Sequence, residues 1–172
     1  RTLGVKEFYF TGGEPMLHPE FFAIIERTLQ EGPVNVLTNG TLIDAAAAAQ
    51  LAALSRATRY SLELRVSLDG MTAEQNDPVR GRGTFRAIIA GLRELAQVEL
   101  SPVITVVEHQ PGPADAASRQ EFIAFARQLG LGRPRVKFLP LLRIGREPRR
   151  SHPYAADAHI EGPLEESLRA TL

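Results

Sequence analysis

The stretch Phe10-Thr11-Gly12-Gly13-Glu14-Pro15 decides how the rest of this sequence is interpreted. An apolar run over residues 5–10 precedes it and predicts a buried strand. His18-Pro19-Glu20 follows and predicts the start of a helix, with proline at the first helical position. Two glycines, a carboxylate and a proline therefore lie where a strand ends and the chain turns toward a helix. In parallel α/β folds, ligands bind at this end of the strands.

The residue types of this turn suit a ligand that carries a positive charge. Glycine lets the backbone approach a ligand closely, and Glu14 supplies a negative charge that could hold an ammonium group. The same residues also suit a tight turn with a solvated acid, because Gly-Gly-x-Pro is a common turn sequence. Both interpretations stay open on these residues alone.

Composition limits the classes of function. The 172 residues suffice for one domain with a substantial core. Equal numbers of acidic and basic residues give no indication of a nucleic-acid or membrane partner. The chain has no cysteine, so it contains no disulfide, zinc–thiolate site or cysteine nucleophile. No signal peptide and no apolar run of about 20 residues is present, so we expect a cytoplasmic protein.

Strand and helix patterns alternate along the chain at nearly even spacing. The predicted strands cover residues 5–10, 34–38, 61–69, about 101–107 and about 135–141. The predicted helices cover about 19–30, 41–56, 84–97 and 115–129, with Thr41 and Asp44 as a capping-box-like start of the second. The remaining segments, 70–83 and 110–114, are predicted loops, the first long and polar. This order predicts a parallel sheet and part of a (β/α) barrel with right-handed crossovers.

The third predicted strand, residues 61–69, alternates strictly between apolar and polar side chains. Its even-numbered residues are Leu or Val and share one face, while the odd-numbered residues are polar and share the other. In a sheet that helices cover on one side, such a polar face would point into the barrel interior. Ser67 and Asp69 would then lie at the mouth of the barrel, level with Glu14.

The alternation of strand and helix patterns ends after Leu142. We therefore predict a partial barrel over residues 1–147 and a linker with a short helix over residues 148–172. The helix is predicted at 163–172. The arginine-rich segment 143–150 suits either a solvated exit loop or a contact to phosphate or carboxylate groups. The chain begins at Arg1, a few residues before a predicted strand, so we expect it to be a fragment of a longer polypeptide.

Several motifs occur in order along the chain: Thr11-Gly12-Gly13-Glu14-Pro15 with Leu17-His18-Pro19, Thr38-Asn39-Gly40-Thr41, Val66-Ser67-Leu68-Asp69-Gly70, Asp77-Pro78-Val79-Arg80-Gly81 with Gly83-Thr84-Phe85, and Lys137-Phe138-Leu139-Pro140-Leu141 with Gly145-Arg146. In this order they resemble the radical S-adenosylmethionine (radical SAM) superfamily, in the branch with peptide-modifying maturases and the molybdenum-cofactor cyclase. Each motif is weak alone, but together they span residues 5–147. Many members of that branch have His where this chain has Asn76.

The resemblance implies a fold, a cofactor and a chemistry. The fold is a partial TIM-like barrel of six units, of which this chain resembles units two to six. The chemistry is reductive cleavage of S-adenosylmethionine by a four-iron four-sulfur cluster, which gives a 5′-deoxyadenosyl radical that abstracts hydrogen from a peptide or small-molecule substrate. An electron donor such as flavodoxin or ferredoxin is also implied.

The resemblance further assigns site residues. Gly12, Gly13 and Glu14 would bind the methionine amino group, and Pro15 would shape that turn. Ser67 would contact the ribose or the carboxylate. The other implied contacts are Arg80 to the carboxylate, Asp69 at the border of the site, Leu139 near the adenine, and Asn39, whose Asn-Gly pair is also a common turn.

The absence of cysteine departs from the family, whose three clustered cysteines bind the iron–sulfur cluster. We therefore expect the parent polypeptide to be a radical SAM oxidoreductase or maturase, with cluster ligands outside this chain, and the chain alone to be inactive. The alternative is a cluster-free α/β barrel that serves as a binding or scaffold domain. An unrelated barrel hydrolase or aldolase would need a Lys, His or metal triad at the strand ends, and the sequence provides none.

Overall fold

The computed structural model describes residues 4–108 and 116–141. These belong almost entirely to one compact unit that ends at Pro140. The predicted loop at 110–114, the boundary at 147, the arginine-rich segment 143–150 and the helix at 163–172 lie outside the described residues. The histidines for which the sequence predicts surface positions, His109, His152 and His159, also lie outside the described residues.

Five strands and five helices alternate in the described part, with one departure between β3 and β4. The elements are β1 Phe8–Phe10, α1 Phe21–Thr28, β2 Val34–Thr38, α2 Ala45–Ala57, β3 Leu62–Ser67, α3 Ala73–Arg80, α4 Thr84–Gln97, β4 Val103–Glu108, α5 Ala116–Gln128 and β5 Arg135–Pro140. All neighbouring strands pair in parallel, in the order β1-β2-β3-β4-β5. The α/β class and the partial-barrel prediction are thereby confirmed, because each crossover leads to the adjacent strand.

The apolar face of the sheet packs against the helices and forms the core. Val36, Val66 and Ile104 are fully buried in one cluster with Ile25 of α1 and Leu92 of α4. Helices α1, α2, α4 and α5 all contribute buried residues to this cluster. Successive strand residues point to opposite faces, so the second face carries polar residues such as Asn35, Glu63 and Arg65.

An ion-pair network lies on that second face. Glu63 contacts Arg65 Nε at 2.9 Å and Arg135 Nη1 at 2.7 Å. Arg65 also donates to Asn35 Oδ1, and Asn35 donates to Glu7 Oε2 at 2.9 Å. Partial burial raises the pKa of Glu63, but the hydrogen bonds from Arg65 and Arg135 outweigh it, so the pKa lies below its ordinary value of 4.5. The polar alternation of the third strand is therefore explained by charges that pair across the sheet.

The first strand and the first helix differ from prediction. β1 covers only Phe8–Phe10, and Val5 and Tyr9 are about half exposed, so the expected buried strand over 5–10 was wrong. β1 is one of the two edge strands of the described sheet, and β2 is its one neighbour there. The helix begins at Phe21, and a 3-10 turn, Pro15–Leu17, precedes it. Pro15, rather than Pro19, therefore occupies a first helical position.

The start of α2 also differs from prediction. Asp44, and not Thr41, is the N-cap, because its carboxylate accepts a hydrogen bond from Ala47 N at 2.8 Å. The Thr41 hydroxyl instead donates to Asn39 Oδ1 at 2.7 Å. The capping-box interpretation thus placed the helix start three residues too early.

The predicted loop at 70–83 contains a helix, α3, although Pro78 lies inside it. Its end is held by Asp77, whose carboxylate accepts from Gly83 N at 2.6 Å and Phe85 N at 2.9 Å. Asn76 is fully buried and donates to Thr84 Oγ1. The helix α3 therefore depends on contacts with the start of α4. Because the segment is polar, its sequence alone does not predict a helix.

Gly91 in α4 allows the helix to pack against the turn after β2. A Cβ at this position would lie 2.7 Å from the Gly40 carbonyl oxygen and 3.0 Å from Ile43 Cβ. We expect Gly91→Ala to destabilise the fold by about 1–2 kcal/mol, because overpacking outweighs the gain in helix propensity. Gly132→Ala is the matched control, since nothing lies within 4 Å of its Cβ position. Urea unfolding curves that coincide for wild type and Gly91→Ala would contradict the expectation.

Asp77 makes stability depend on pH. The backbone N–H groups of Phe85 and Gly83 lower the pKa of Asp77 below its ordinary value of 3.8. Its contribution is therefore complete above that value and disappears as the pH falls through the lower pKa of the folded state. Between about pH 5 and pH 3, wild type should lose more stability in urea titrations than Asp77→Asn, which cannot titrate. Stability curves that run parallel for the two proteins across this range would refute this.

Candidate functional site

Glu14 follows β1 in the turn that the sequence singled out. Gly12 has φ +138, a conformation that favours glycine, and nothing lies within 4 Å of a Cβ added at Gly12 or Gly13. Both glycines are exposed, so a ligand has free access to their backbone. Pro15 begins the 3-10 turn, and Glu14 caps it by accepting from Met16 N at 3.2 Å.

The Glu14 carboxylate joins this turn to the end of the neighbouring strand, β2. Oε1 accepts from Thr38 Oγ1 at 2.7 Å, and Oε2 accepts from Asn39 N at 2.7 Å. With the bond from Met16, two donors reach Oε1 and one reaches Oε2. A carboxylate has about four acceptor positions, so one position on Oε2 is not used by any donor in the part of the chain that the structure describes.

Asn39 and Gly40 shape the turn that receives Glu14. Asn39 Oδ1 accepts from Thr41 N at 2.9 Å as well as from the Thr41 hydroxyl, which is an Asx turn. Gly40 has φ +74, and a Cβ there would lie 2.7 Å from Val66 Cγ1. The Asn-Gly pair thus has a clear structural role, and the part of Asn39 that contacts Glu14 is its backbone N–H.

Asp69 and Arg80 form a second group after β3. The Asp69 side chain is 1% exposed, and its Oδ2 lies 2.8 Å from Arg80 Nε. Asp69 Oδ1 accepts from Val107 N at 2.8 Å, and Asp69 N donates to Asn76 Oδ1. One carboxylate therefore links β3, β4 and α3. The Arg80 side chain remains 21% exposed, so its outer nitrogens can still reach a ligand.

Ser67 and Leu139 lie on the polar face of the sheet. Ser67 pairs in register with Thr105 of β4, and Leu139 pairs with Val107. Thr105 Oγ1 is buried and makes no hydrogen bond within the described part of the chain. Lys137 is exposed and pairs in register with this threonine from the other side. Polar groups therefore continue across three strands near their carboxyl ends.

The predicted residues thus fall into three sets: those around the Glu14 carboxylate, the pair Asp69 and Arg80, and the two sheet residues Ser67 and Leu139. The structure also adds Thr38, Asn76 and Thr105, which the sequence analysis did not select. Thr38 is 3% exposed and ends β2, as Phe10 ends β1. The strand-end argument applied to Glu14 could have found Thr38, whereas only tertiary contacts reveal the role of Asn76.

The residues present do not fit an iron–sulfur cluster. The chain has no cysteine, and within residues 4–108 and 116–141 no group of His, Asp and Glu could hold a metal ion. In the same residues, no helix is long and apolar enough to cross a membrane.

Comparison with known proteins gives consistent results. Residues 2–115 match the Radical SAM superfamily. The chain is 34% identical over 123 residues to mycofactocin maturase MftC of Mycobacterium ulcerans, covering 69% of this chain and 31% of that protein. It is 31% identical over 111 residues to a probable GTP 3′,8-cyclase of Archaeoglobus fulgidus, covering 60% of this chain and 33% of that protein. The chain therefore spans about a third of the length of these relatives.

A solved structure of SuiB from Streptococcus suis, bound to S-adenosylmethionine, has a similar fold. The TM-score is 0.58 at 17% identity, over 77% of this chain and 29% of that chain. SuiB bound to its precursor peptide SuiA gives a TM-score of 0.57 at the same identity, over 77% of this chain and 28% of that chain. The parallel sheet resembles the partial barrel of these neighbours. The match over residues 2–115, more than half of the chain, shows that the chain belongs to the radical SAM superfamily.

Proposed function

We propose that this chain is the S-adenosylmethionine-binding part of a radical SAM enzyme. The observation that carries the proposal is the Glu14 carboxylate. Among the described residues, three hydrogen bonds fix it and leave one acceptor position on Oε2 without a donor. An amino-acid ammonium group needs such an anion, and a preorganised one binds without a cost of reorientation.

The other residues supply what the rest of the ligand needs. Arg80 would pair with the carboxylate of S-adenosylmethionine through its outer nitrogens, while Asp69 holds Nε from behind. Gly12 and Gly13 would allow close backbone approach, with Pro15 and Asn39 shaping the turns around Glu14. Ser67 would contact the ribose or carboxylate, and Leu139 would cover the adenine.

The full enzyme would also need parts that this chain lacks. In this superfamily, S-adenosylmethionine with a reduced four-iron cluster supplies a 5′-deoxyadenosyl radical for hydrogen abstraction. We propose that the cluster ligands lie in other parts of a full-length protein, since this chain has no cysteine. A peptide substrate is favoured because SuiB binds a precursor peptide and MftC is a maturase. A cytoplasmic location and a flavodoxin or ferredoxin donor belong to the same proposal.

A cluster-free binding or scaffold domain is the second candidate. Two observations favour it: the chain has no cysteine, and residues 4–108 and 116–141 provide no alternative metal-binding group. To separate the candidates, the full-length protein is reconstituted anaerobically with iron and sulfide. A reducible four-iron cluster seen by electron paramagnetic resonance, with release of 5′-deoxyadenosine, supports the enzyme. A folded protein that forms no cluster supports the scaffold.

Glu14→Gln should weaken binding of S-adenosylmethionine by roughly tenfold or more, because the ligand ammonium loses its charged partner. Calorimetry on the full-length protein measures the effect. Binding of 5′-methylthioadenosine is the control, since that ligand has the adenosine but neither ammonium nor carboxylate. The amide also places an NH₂ group near one of the Glu14 donors, so a melting curve accompanies each titration. Equal affinity of both proteins for S-adenosylmethionine would rule out the role of Glu14.

Arg80→Lys tests the carboxylate contact. Lysine keeps the charge but cannot contact Asp69 and a ligand carboxylate together as a planar guanidinium can. We expect weaker binding of S-adenosylmethionine, by roughly tenfold, and little change for decarboxylated S-adenosylmethionine, which lacks the group in question. Equal losses for the two ligands would show that Arg80 only anchors α3.

A further inference from the structure

We infer that Thr38 is a positioning residue that holds the Glu14 carboxylate so that only Oε2 can accept a ligand. The inference rests on the proposed function and deepens it, because it specifies which oxygen binds the ammonium group and which side chain determines this.

The contacts of Thr38 fix the direction of its hydroxyl group. Thr38 is 3% exposed at the end of β2, and its Oγ1 accepts a hydrogen bond from Gly40 N at 3.0 Å. Its single hydrogen must then point to Glu14 Oε1, 2.7 Å away, since an ionised carboxylate only accepts. The two hydrogen bonds therefore have one possible direction: Gly40 N donates to Thr38 Oγ1, and Thr38 Oγ1 donates to Glu14 Oε1.

These two hydrogen bonds make the two carboxylate oxygens of Glu14 different from each other. Oε1 accepts from Thr38 and from Met16 N, so its two acceptor positions are occupied. Within residues 4–108 and 116–141, Oε2 accepts a hydrogen bond from Asn39 N and from no other donor. An incoming ammonium group therefore binds Oε2, next to the Asn39 backbone. Without the Thr38 hydroxyl, the carboxylate could rotate and its oxygens would become more nearly equivalent.

A purely structural role for Thr38 would also be consistent with these contacts, because they join the turn after β1 to the end of β2. The two roles differ in what they do to ligands. If the Thr38 hydroxyl only stabilises the fold, its loss would weaken the binding of every ligand. If it positions Glu14, its loss would weaken only the binding of ligands that carry the ammonium group.

The test uses Thr38→Val, Thr38→Ser, Glu14→Gln and the double variant Thr38→Val/Glu14→Gln in the full-length protein. Valine keeps the shape and β-branch of threonine without the hydroxyl, and serine restores the hydroxyl. Each protein is titrated with S-adenosylmethionine and with 5′-methylthioadenosine. If Thr38→Val does not fold, Thr38→Ala takes its place, because it also lacks the hydroxyl and adds no bulk.

We expect Thr38→Val to bind S-adenosylmethionine roughly tenfold more weakly and 5′-methylthioadenosine almost unchanged, with affinity recovered in Thr38→Ser. The double variant should bind no more weakly than Glu14→Gln, since Thr38 acts only through Glu14. Equal losses for both ligands, additive losses in the double variant, or no loss in Thr38→Val would overturn the inference. If Glu14→Gln itself has no effect, the proposed function fails together with the inference.

Discussion

The structure depends on one topological constraint: five parallel strands follow one another in the sheet in the order in which they occur in the chain. Each crossover then has the same hand and places its helix on the same face. Apolar residues from one face of the described strands therefore share a core with the helices. The other face is left to polar residues such as Asn35, Glu63 and Arg65, and the carboxyl ends of all strands meet at one edge.

At that edge, two carboxylates do similar structural work. Glu14 follows β1 and accepts from the backbone N–H of Asn39, just beyond β2. Asp69 follows β3 and accepts from the backbone N–H of Val107 in β4. Each acid therefore satisfies a backbone donor of the adjacent strand, where the regular ladder ends. A residue can thus be essential for the geometry of the site before any ligand binds.

A carboxylate at a strand end can hold the neighbouring strand or bind a ligand. Residue type alone therefore did not show which of these two roles Glu14 and Asp69 have. Asp69 is almost fully buried and already paired with Arg80, so its contribution to a ligand would pass mainly through that arginine. Glu14 is more accessible and has an acceptor position to spare. The distinction is one of burial and hydrogen-bond count, and neither quantity can be read from a motif.

Local sequence signals failed where tertiary contacts override them. Helix α3 contains Asn76, Asp77 and Pro78, a composition typical of a loop, yet it forms because Asp77 accepts hydrogen bonds from the start of α4 and Asn76 is buried against Thr84. The edge strand β1 is shorter than its apolar run suggests, because its pairing with β2 covers only Phe8–Phe10.

The sequence by itself determined the α/β class, the parallel order of the strands and the bounds of β2 and α4, because these follow from hydrophobic periodicity and strong breakers such as Gly-Pro and Asn-Gly. It also determined the superfamily, through motifs that the match over residues 2–115 confirms. Only the tertiary structure decided that Thr38 and Asn39 donate to the Glu14 carboxylate and that Asp69 pairs with Arg80. These facts depend on two hydrogen bonds and an ion pair between residues 11–25 positions apart in the chain, and no local pattern encodes the distance between such residues in space.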